Sequence, residues 1–264
     1  GLLFLHETLI FIFGLVCGLN ALDKYLVENT KYNTMQALFI FTETFSFPKG
    51  DVTQQTGWYL PEAAHPYHEL KAAGFDVIFA TPNGKPSHVD NGSVEAFKDK
   101  VSLDFLETYV KDGQLKNVLP LTSLKPEDFK IVFFPGGHGP MFDLAVDEET
   151  GKFAAAAYEQ GGVVGAVCHG PAALVPIKLS SGEPLVKGKQ VAAFTNDEED
   201  AVSLSKYMPF MLSTKLRQLG AQTVAVDTWQ PLAVTSERLV TGQNPASGTA
   251  VGEALVKAAL GAKA

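Results

Sequence analysis

Apolar runs of strand length recur along the chain from residue 36 onward, and each run ends at a polar, glycine-bearing or proline-bearing turn. Short runs rich in Val, Ile and Phe predict buried strands, whereas longer segments with one apolar face predict helices. The predicted strands span residues 36–42, 75–80, 129–134, 163–167, 190–195, 223–226, 232–235 and 238–241. The predicted helices span residues 66–73, 102–110, 148–160, 201–219 and 247–260.

The order of these elements predicts the fold class. A strand, a helix and another strand follow one another between residues 36 and 80, which is how a parallel, doubly wound α/β sheet begins. No internal repeat or low-complexity linker divides the rest of the chain. Residues 35–264 are therefore predicted to form one α/β domain, and residues 1–34 are predicted to be an apolar appendage outside the fold core.

The first twenty residues are nearly all apolar, yet they match no standard targeting segment. His6 and Glu7 interrupt the stretch and no basic residue flanks its start, so a membrane span is marginal and a secretory signal is not indicated. Three interpretations stay open: a truncated signal or anchor, a hydrophobic docking segment, or an extension foreign to the fold. Membrane contact is expected only through residues 1–20.

Composition and charge limit the partners and the compartment. The 264 residues are 46% hydrophobic and 19% charged, which is typical of a soluble globular protein that can bury a full core. The net charge of −8 and the absence of a basic run argue against binding to nucleic acid or to an anionic membrane surface. The two cysteines, Cys17 and Cys168, form no disulfide framework, so a reducing, cytoplasmic location is expected.

The strongest chemical signal is the stretch GGVVGAVCHGPAA at residues 161–173. An apolar strand ends at Cys168-His169-Gly170, and a helix-compatible segment follows at once, which predicts a strand, a tight turn and a helix start. A thiol at such a corner meets the free N–H groups of the helix, which favour thiolate, and His169 supplies a base beside it. A buried structural cysteine would not need His169 and Gly170 after it, so Cys168 is predicted to be a nucleophile.

Polar residues also follow two other predicted strands. The sequence Gly-Gly-His at 136–138 follows one of them, and paired glycines let backbone N–H groups point into a site. Because ligands of parallel sheets lie at the carboxyl ends of strands, these residues should share an edge with Cys168 and supply donors to an oxyanion. An acidic run follows the other strand and should orient the base. Four residues stay open as this acid: Asp197, Glu198, Glu199 and Asp200.

The spacing of Glu62, His65 and His68 offers a metal site as an alternative. The two intervals resemble those of metal ligands on a helix, but Pro66 interrupts the helical spacing and no cysteine cluster accompanies it. No metal is therefore predicted.

Five segments of the chain resemble the ThiJ/PfpI superfamily of class I glutamine amidotransferase-like proteins. They are TGWYLPEAAHPY at 56–67, FFPGGHGPMFD at 133–143, GGVVGAVCHGPAAL at 161–174, KGKQVAAFTNDEE at 187–199 and VTGQNPAS at 240–247. The likeness is to the glutathione-independent glyoxalase III and stress-chaperone branch, and it runs from about residue 36 to the end. The resemblance implies a flavodoxin-like fold, a doubly wound, mostly parallel sheet sandwiched by helices with a nucleophile elbow, and a homodimer.

The resemblance also implies a Cys-His-acid triad. Cys168 looks like the nucleophile and His169 its base. The family acid lies a few residues after a strand that ends in Phe-Thr, which implies Glu199, with Asp197 as the fallback. Glu62 matches the glutamate of the branch motif E-A-x-H-P and would lie within reach of the sulfur. Without the resemblance, Glu62 is interpreted as an exposed carboxylate in the first turn of a helix.

The remaining implied roles concern the substrate. Backbone N–H groups of Gly137 and His169 would bind an oxyanion, and His138 would line the pocket. The implied reaction turns methylglyoxal or a related 2-oxoaldehyde and water into a 2-hydroxy acid such as lactate, through a hemithioacetal on Cys168. It is a lyase reaction of the D-lactate dehydratase class that needs no cofactor, glutathione or metal. Two alternatives stay open, a stress-induced holding chaperone and a Cys hydrolase or amidotransferase-like enzyme, since the same triad serves acyl transfer.

Overall fold

A seven-stranded sheet lies at the centre of the computed structural model, which describes residues 35–261. The predictions for residues 1–34 lie outside the described residues. In chain order the strands are β1 Gln36–Ile40, β2 Ser46–Lys49, β3 Val52–Gln55, β4 Asp76–Thr81, β5 Val110–Lys111, β6 Gln114–Leu115, β7 Leu119–Pro120, β8 Ile131–Phe134, β9 Val163–Val167, β10 Gln190–Val191, β11 Gln222–Thr223, β12 Ala233–Ser236 and β13 Leu239–Gly242. The spatial order in the main sheet is β12-β13-β9-β8-β1-β4-β7.

All neighbours in this sheet are parallel except β12 and β13, which form an antiparallel pair at one edge. The remaining strands form three two-stranded sheets. The α-helices are α1 Leu60–Ala72, α2 Asn91–Ala96, α3 Lys100–Tyr109, α4 Glu148–Glu159, α5 Asn196–Ala201, α6 Leu212–Gln218 and α7 Gly248–Leu260. This arrangement confirms the predicted doubly wound, mostly parallel, flavodoxin-like α/β fold.

Two apolar cores lie on opposite faces of the sheet. Along β1, Leu38 and Ile40 belong to one core, while Ala37 and Phe39 belong to the other. The first core is covered by α4, and the second by α1, α3 and α7. Because both faces are buried, the strands read as continuous apolar runs and not as alternating ones. Within residues 35–261, no helix combines the length and the apolarity that a membrane crossing requires.

The first helix begins six residues earlier than predicted. It starts at Leu60, has Pro61 in its first turn and contains Pro66 in its interior. Proline suits a helix start because its missing N–H would have no intrahelical partner there. Pro66 leaves only the carbonyl one turn earlier without its usual donor, and the helix continues through it. The earlier start places Glu62 in the first turn of α1, where it is buried.

Three predicted elements are shorter than expected. The segment after Cys168 is a five-residue 3-10 turn, Gly170–Leu174, and not an α-helix. The helix predicted over 201–219 divides into the end of α5, a 3-10 turn at 205–207 and α6. Ser203, with a φ of 57°, lies at the first break, and Pro209, which has no N–H to donate, lies at the second. The strand predicted over 190–195 stops at Val191, since later N–H groups bond to a side chain and to the Cys168 carbonyl.

The last helix starts at the predicted position, but its N-cap side chain makes no capping bond. Ser247 occupies the N-cap position of α7, but its hydroxyl makes no bond to a helix N–H. It accepts the Leu232 N–H and donates to Asn244 Oδ1. Asn244 instead caps the short 3-10 turn, Pro245–Ser247, that precedes α7.

Candidate active site

Cys168 lies directly after β9, beside the end of the adjacent strand β8. Its φ is 60°, a left-handed conformation that non-glycine residues rarely adopt and that often occurs at functional sites. Two hydrogen bonds hold this turn: Cys168 donates its N–H to the Gly242 carbonyl at 2.9 Å and accepts the Phe194 N–H at 2.8 Å. The neighbouring segments therefore fix the backbone that directs the thiol.

Cys168, His169 and Glu199 form a continuous polar chain. The Cys168 Sγ lies 3.4 Å from His169 Nδ1, and His169 Nε2 lies 2.6 Å from Glu199 Oε2. An ionised carboxylate only accepts hydrogen bonds, so Nε2 carries the imidazole proton and Nδ1 faces the sulfur as an acceptor. All three side chains are buried. The arrangement can move a proton from the thiol to the imidazole.

A second imidazole shares the same carboxylate. His138 Nε2 donates to Glu199 Oε1 at 2.8 Å, and the His138 and His169 rings lie 4.0 Å apart between centroids. Burial acts to raise the pKa of Glu199, but the charges and hydrogen bonds of the two histidines outweigh it and lower the pKa well below its ordinary value. His138 thus lies in the site, where it contacts the acid through a hydrogen bond.

The other acidic candidates lie elsewhere. Asp197 and Asp200 are exposed on the six-residue helix α5. Glu198 is buried, but it accepts hydrogen bonds from Asn244, Gln243 and the Trp229 N–H. Within α5, only Glu199 meets His169.

Glu62 lies in the first turn of α1 and is fully buried, so the interpretation as an exposed carboxylate is wrong. A Cβ atom on Gly136 would collide with Glu62 Oε2 and with the Val167 carbonyl, which explains why glycine is needed there. Burial raises the pKa of Glu62 well above its ordinary value, and the Cys168 sulfur and the Gly136 N–H offset this only in part. A protonated Glu62 carboxyl can therefore face the sulfur at neutral pH.

The expectation that a helix start would favour the thiolate of Cys168 is wrong. Burial raises the pKa of Cys168 well above its ordinary value, the charge of Glu62 raises it further, and the Gly137 N–H lowers it only in part. A short 3-10 turn supplies no long helix dipole to compensate. Because Glu62 and Cys168 disfavour each other's charge, the pair retains at least one proton at neutral pH. When the sulfur holds that proton, His169 Nδ1 is the base that can accept it.

The glycines after β8 bring backbone donors to this sulfur. Gly137 has a φ of 92°, and a Cβ atom there would collide with the Gly57 carbonyl. Within residues 35–261, the N–H groups of Gly137 and His169 bond to no backbone carbonyl. The backbone therefore holds neither group, and an oxygen atom that the substrate brings next to the sulfur could accept the His169 N–H and the Gly137 N–H that now faces Cys168.

These features define an α/β protein with a cysteine, a histidine and two glutamates at the carboxyl edge of a parallel sheet. The model of the DJ-1/PfpI family matches residues 56–258, and the chain belongs to that family. The resemblance to the ThiJ/PfpI superfamily is thereby confirmed.

Several relatives have names that describe one activity. The chain is 32% identical over 231 residues to Glyoxalase 3 of Candida albicans, across 84% of this chain and 96% of that protein. It is 33% identical over 208 residues to the glutathione-independent glyoxalase HSP31 of Saccharomyces cerevisiae, across 73% and 85%. The crystal structure of glyoxalase III from Candida albicans matches with a TM-score of 0.77 and 29% identity, across 85% of this chain and 97% of that one.

The network around Glu198 was missed at the level of sequence, although two of its partners, Gln243 and Asn244, lie in the segment VTGQNPAS. Burial acts to raise the pKa of Glu198, but hydrogen bonds from Asn244, Thr195 and the Trp229 N–H lower it overall. Trp229 has a φ of 65°, and its ring packs against Phe194, which in turn packs on His169. Glu198 therefore supports the wall of the site.

We expect Glu198→Ala to lower the free energy of unfolding by about 3 kcal/mol, because several buried donors lose their acceptor. Urea denaturation followed by circular dichroism measures this change. Asp197→Ala, which alters the exposed neighbour, is the matched control and should cost less than about 1 kcal/mol. Equal losses in both variants would contradict the structural role of Glu198.

Proposed function

We propose that the protein is a glutathione-independent glyoxalase that converts methylglyoxal and related 2-oxoaldehydes with water into 2-hydroxy acids. The observation that carries this proposal is that Cys168 contacts both the His169–Glu199 pair and the buried Glu62 carboxyl. The names of several relatives support it. The homodimer and the cytoplasmic location stay predictions.

In the first step, the Cys168 sulfur adds to the aldehyde carbon of methylglyoxal. His169 Nδ1, which lies 3.4 Å from the sulfur, accepts the thiol proton as the C–S bond forms. The carbonyl electron pair moves to oxygen, where the Gly137 and His169 N–H groups stabilise the negative charge. Return of the proton to this oxygen gives a hemithioacetal.

In the second step, a proton moves between the two substrate carbons. Removal of the hydrogen from the former aldehyde carbon gives an enediol, and protonation of the neighbouring carbon gives a thioester of the 2-hydroxy acid. Glu62 and His169 are the two groups that carry these protons, and both have perturbed pKa values, as such groups need. Water then cleaves the thioester and restores the thiol. Oxidation of one carbon is balanced by reduction of the other, so the route needs no cofactor.

The proposal is tested with the purified full chain, methylglyoxal and buffer that contains EDTA but no glutathione. We expect methylglyoxal to disappear and lactate to form in equal molar amounts over many turnovers. Loss of methylglyoxal without lactate would indicate simple trapping by thiols and amines and would overturn the proposal. Turnover of peptides or glutamine without lactate formation would favour the hydrolase alternative.

The pH profile of the reaction should show an unusually acidic limb. Burial and the neighbouring His138 lower the pKa of His169 from 6.5 to about 4, although Glu199 acts to raise it. Only the neutral imidazole can accept the thiol proton, so kcat/KM should fall as the pH drops through about 4 and not near 6.5. His138→Gln keeps an N–H donor toward Glu199 but removes a titratable ring, and it should move this limb to higher pH. An unchanged limb would contradict the influence of His138.

A further inference from the structure

Three side chains of the site bring metal-ligand atoms together. His138, His169 and Glu199 each offer one such atom, and all of them lie within 4.8 Å of one another. Both Nε2 atoms point to the same carboxylate, at 2.8 Å from Oε1 and 2.6 Å from Oε2. Two imidazoles and a carboxylate, with a fourth position open to water, form a common Zn²⁺ ligand set.

We propose that His138, His169 and Glu199 form an inhibitory binding site for Zn²⁺. The ion would take the place of the two protons that now join the imidazoles to the carboxylate. The binding part of this proposal is independent of the proposed function, and only the inhibition rests on it.

The site needs little rearrangement to accept the ion. Zinc bonds of about 2.0–2.2 Å place tetrahedral ligand atoms roughly 3.4 Å apart, so the pairs now at 2.6 and 2.8 Å would separate by less than about 1 Å, and the widest pair, within 4.8 Å, would approach by at most about 1.4 Å. The ion would reach the site from the side of His138, because the His138 side chain is 17% exposed whereas those of His169 and Glu199 are 1% and 4% exposed. The fourth ligand, a water molecule, would lie on the His138 side.

Occupancy would stop the reaction without any contact between zinc and sulfur. When Zn²⁺ bonds to Nε2 of the neutral His169 ring, the single proton of that ring moves to Nδ1. Nδ1 is the atom that lies 3.4 Å from the Cys168 Sγ. An N–H at that position cannot accept the thiol proton, so the base is lost while the thiol stays accessible to other reagents.

Binding is tested on the full chain by calorimetric titration with Zn²⁺ and by the absorption spectrum of added Co²⁺. We expect one equivalent of zinc to bind, and the cobalt spectrum to show tetrahedral d–d bands without a thiolate charge-transfer band. His138→Phe and Glu199→Gln should each weaken binding at least tenfold, whereas Cys168→Ser should retain it. His68→Gln changes an exposed histidine of α1 and is the matched control. Binding that neither His138→Phe nor Glu199→Gln weakens would overturn the proposal.

The position of the ion relative to the sulfur is tested by alkylation. Iodoacetamide labelling of Cys168, followed by peptide mass spectrometry, should continue in the presence of saturating zinc while methylglyoxal turnover stops. EDTA should restore turnover. Protection of Cys168 by zinc, together with loss of binding in Cys168→Ser, would place the ion on the sulfur and overturn the proposal. Zinc binding through the histidines in a protein that never forms lactate would contradict the proposed function alone.

Discussion

Replacing Cys168 by serine is expected to lower the rate of lactate formation by at least about 10³-fold. A hydroxyl is far less acidic than a thiol, and the His169 imidazole, with its pKa lowered to about 4, is too weak a base to activate it. The hemithioacetal therefore cannot form at a useful rate. The measurement is lactate released from methylglyoxal by the purified variant in glutathione-free buffer.

The control for this variant is its stability. Serine is close to cysteine in size and meets the same left-handed backbone at φ 60°, so the thermal unfolding midpoint should change little. Full glyoxalase activity in Cys168→Ser would exclude the thiol mechanism. Aggregation suppression that persists in Cys168→Ser but disappears when residues 1–34 are removed would instead support a holding chaperone.

Much of the fold could be predicted from the sequence because the sheet is buried on both faces. Apart from Gln36 at the start of β1, the runs at β1, β8 and β9 have no polar position and are buried throughout, which is the pattern of a parallel central sheet. Element ends were harder to predict. The strand after residue 190 ends early because Ala192 donates to the Thr241 hydroxyl and Phe194 to the Cys168 carbonyl, and both contacts are distant in sequence.

The sequence predicts which residues follow the strands that form the site. It does not predict the pKa values of those residues. The Gly-Gly-His segment follows β8, and Cys168 and His169 follow β9. Because β8 and β9 are parallel neighbours, these residues lie at the same edge of the sheet. The choice of Glu199 over Glu198 depends on which way each side chain turns from one short helix. The burial of Glu62 depends on its packing beneath Gly136. Burial is also what raises the pKa of Cys168, so sequence reasoning about a helix dipole gave the opposite sign.

Glu62→Gln is expected to reduce turnover by about 10²- to 10⁴-fold, because an amide cannot carry a proton between the two substrate carbons. The same variant should be more stable than the wild type at neutral pH. The pKa of Glu62 is raised in the folded protein, so the unfolded chain releases this proton at lower pH than the folded one. Unfolding therefore becomes easier as the pH rises above the ordinary carboxyl value of 4.5, and glutamine removes that effect.

Lactate formation and urea denaturation, each measured between pH 4 and about pH 8, separate these two effects. The stability gained by Glu62→Gln should be small at pH 4, below the ordinary carboxyl value of 4.5, where the carboxyl is mostly protonated in both states, and should grow as the pH increases. Glu107→Gln, which changes an exposed carboxyl on α3, is the matched control and should alter neither activity nor the pH dependence of stability. A Glu62→Gln variant that loses stability at neutral pH would mean that the ionised carboxylate is the favoured form in the fold. In that case Glu62 could not donate to the sulfur, and the proton transfer between the carbons would have to depend on His169 alone.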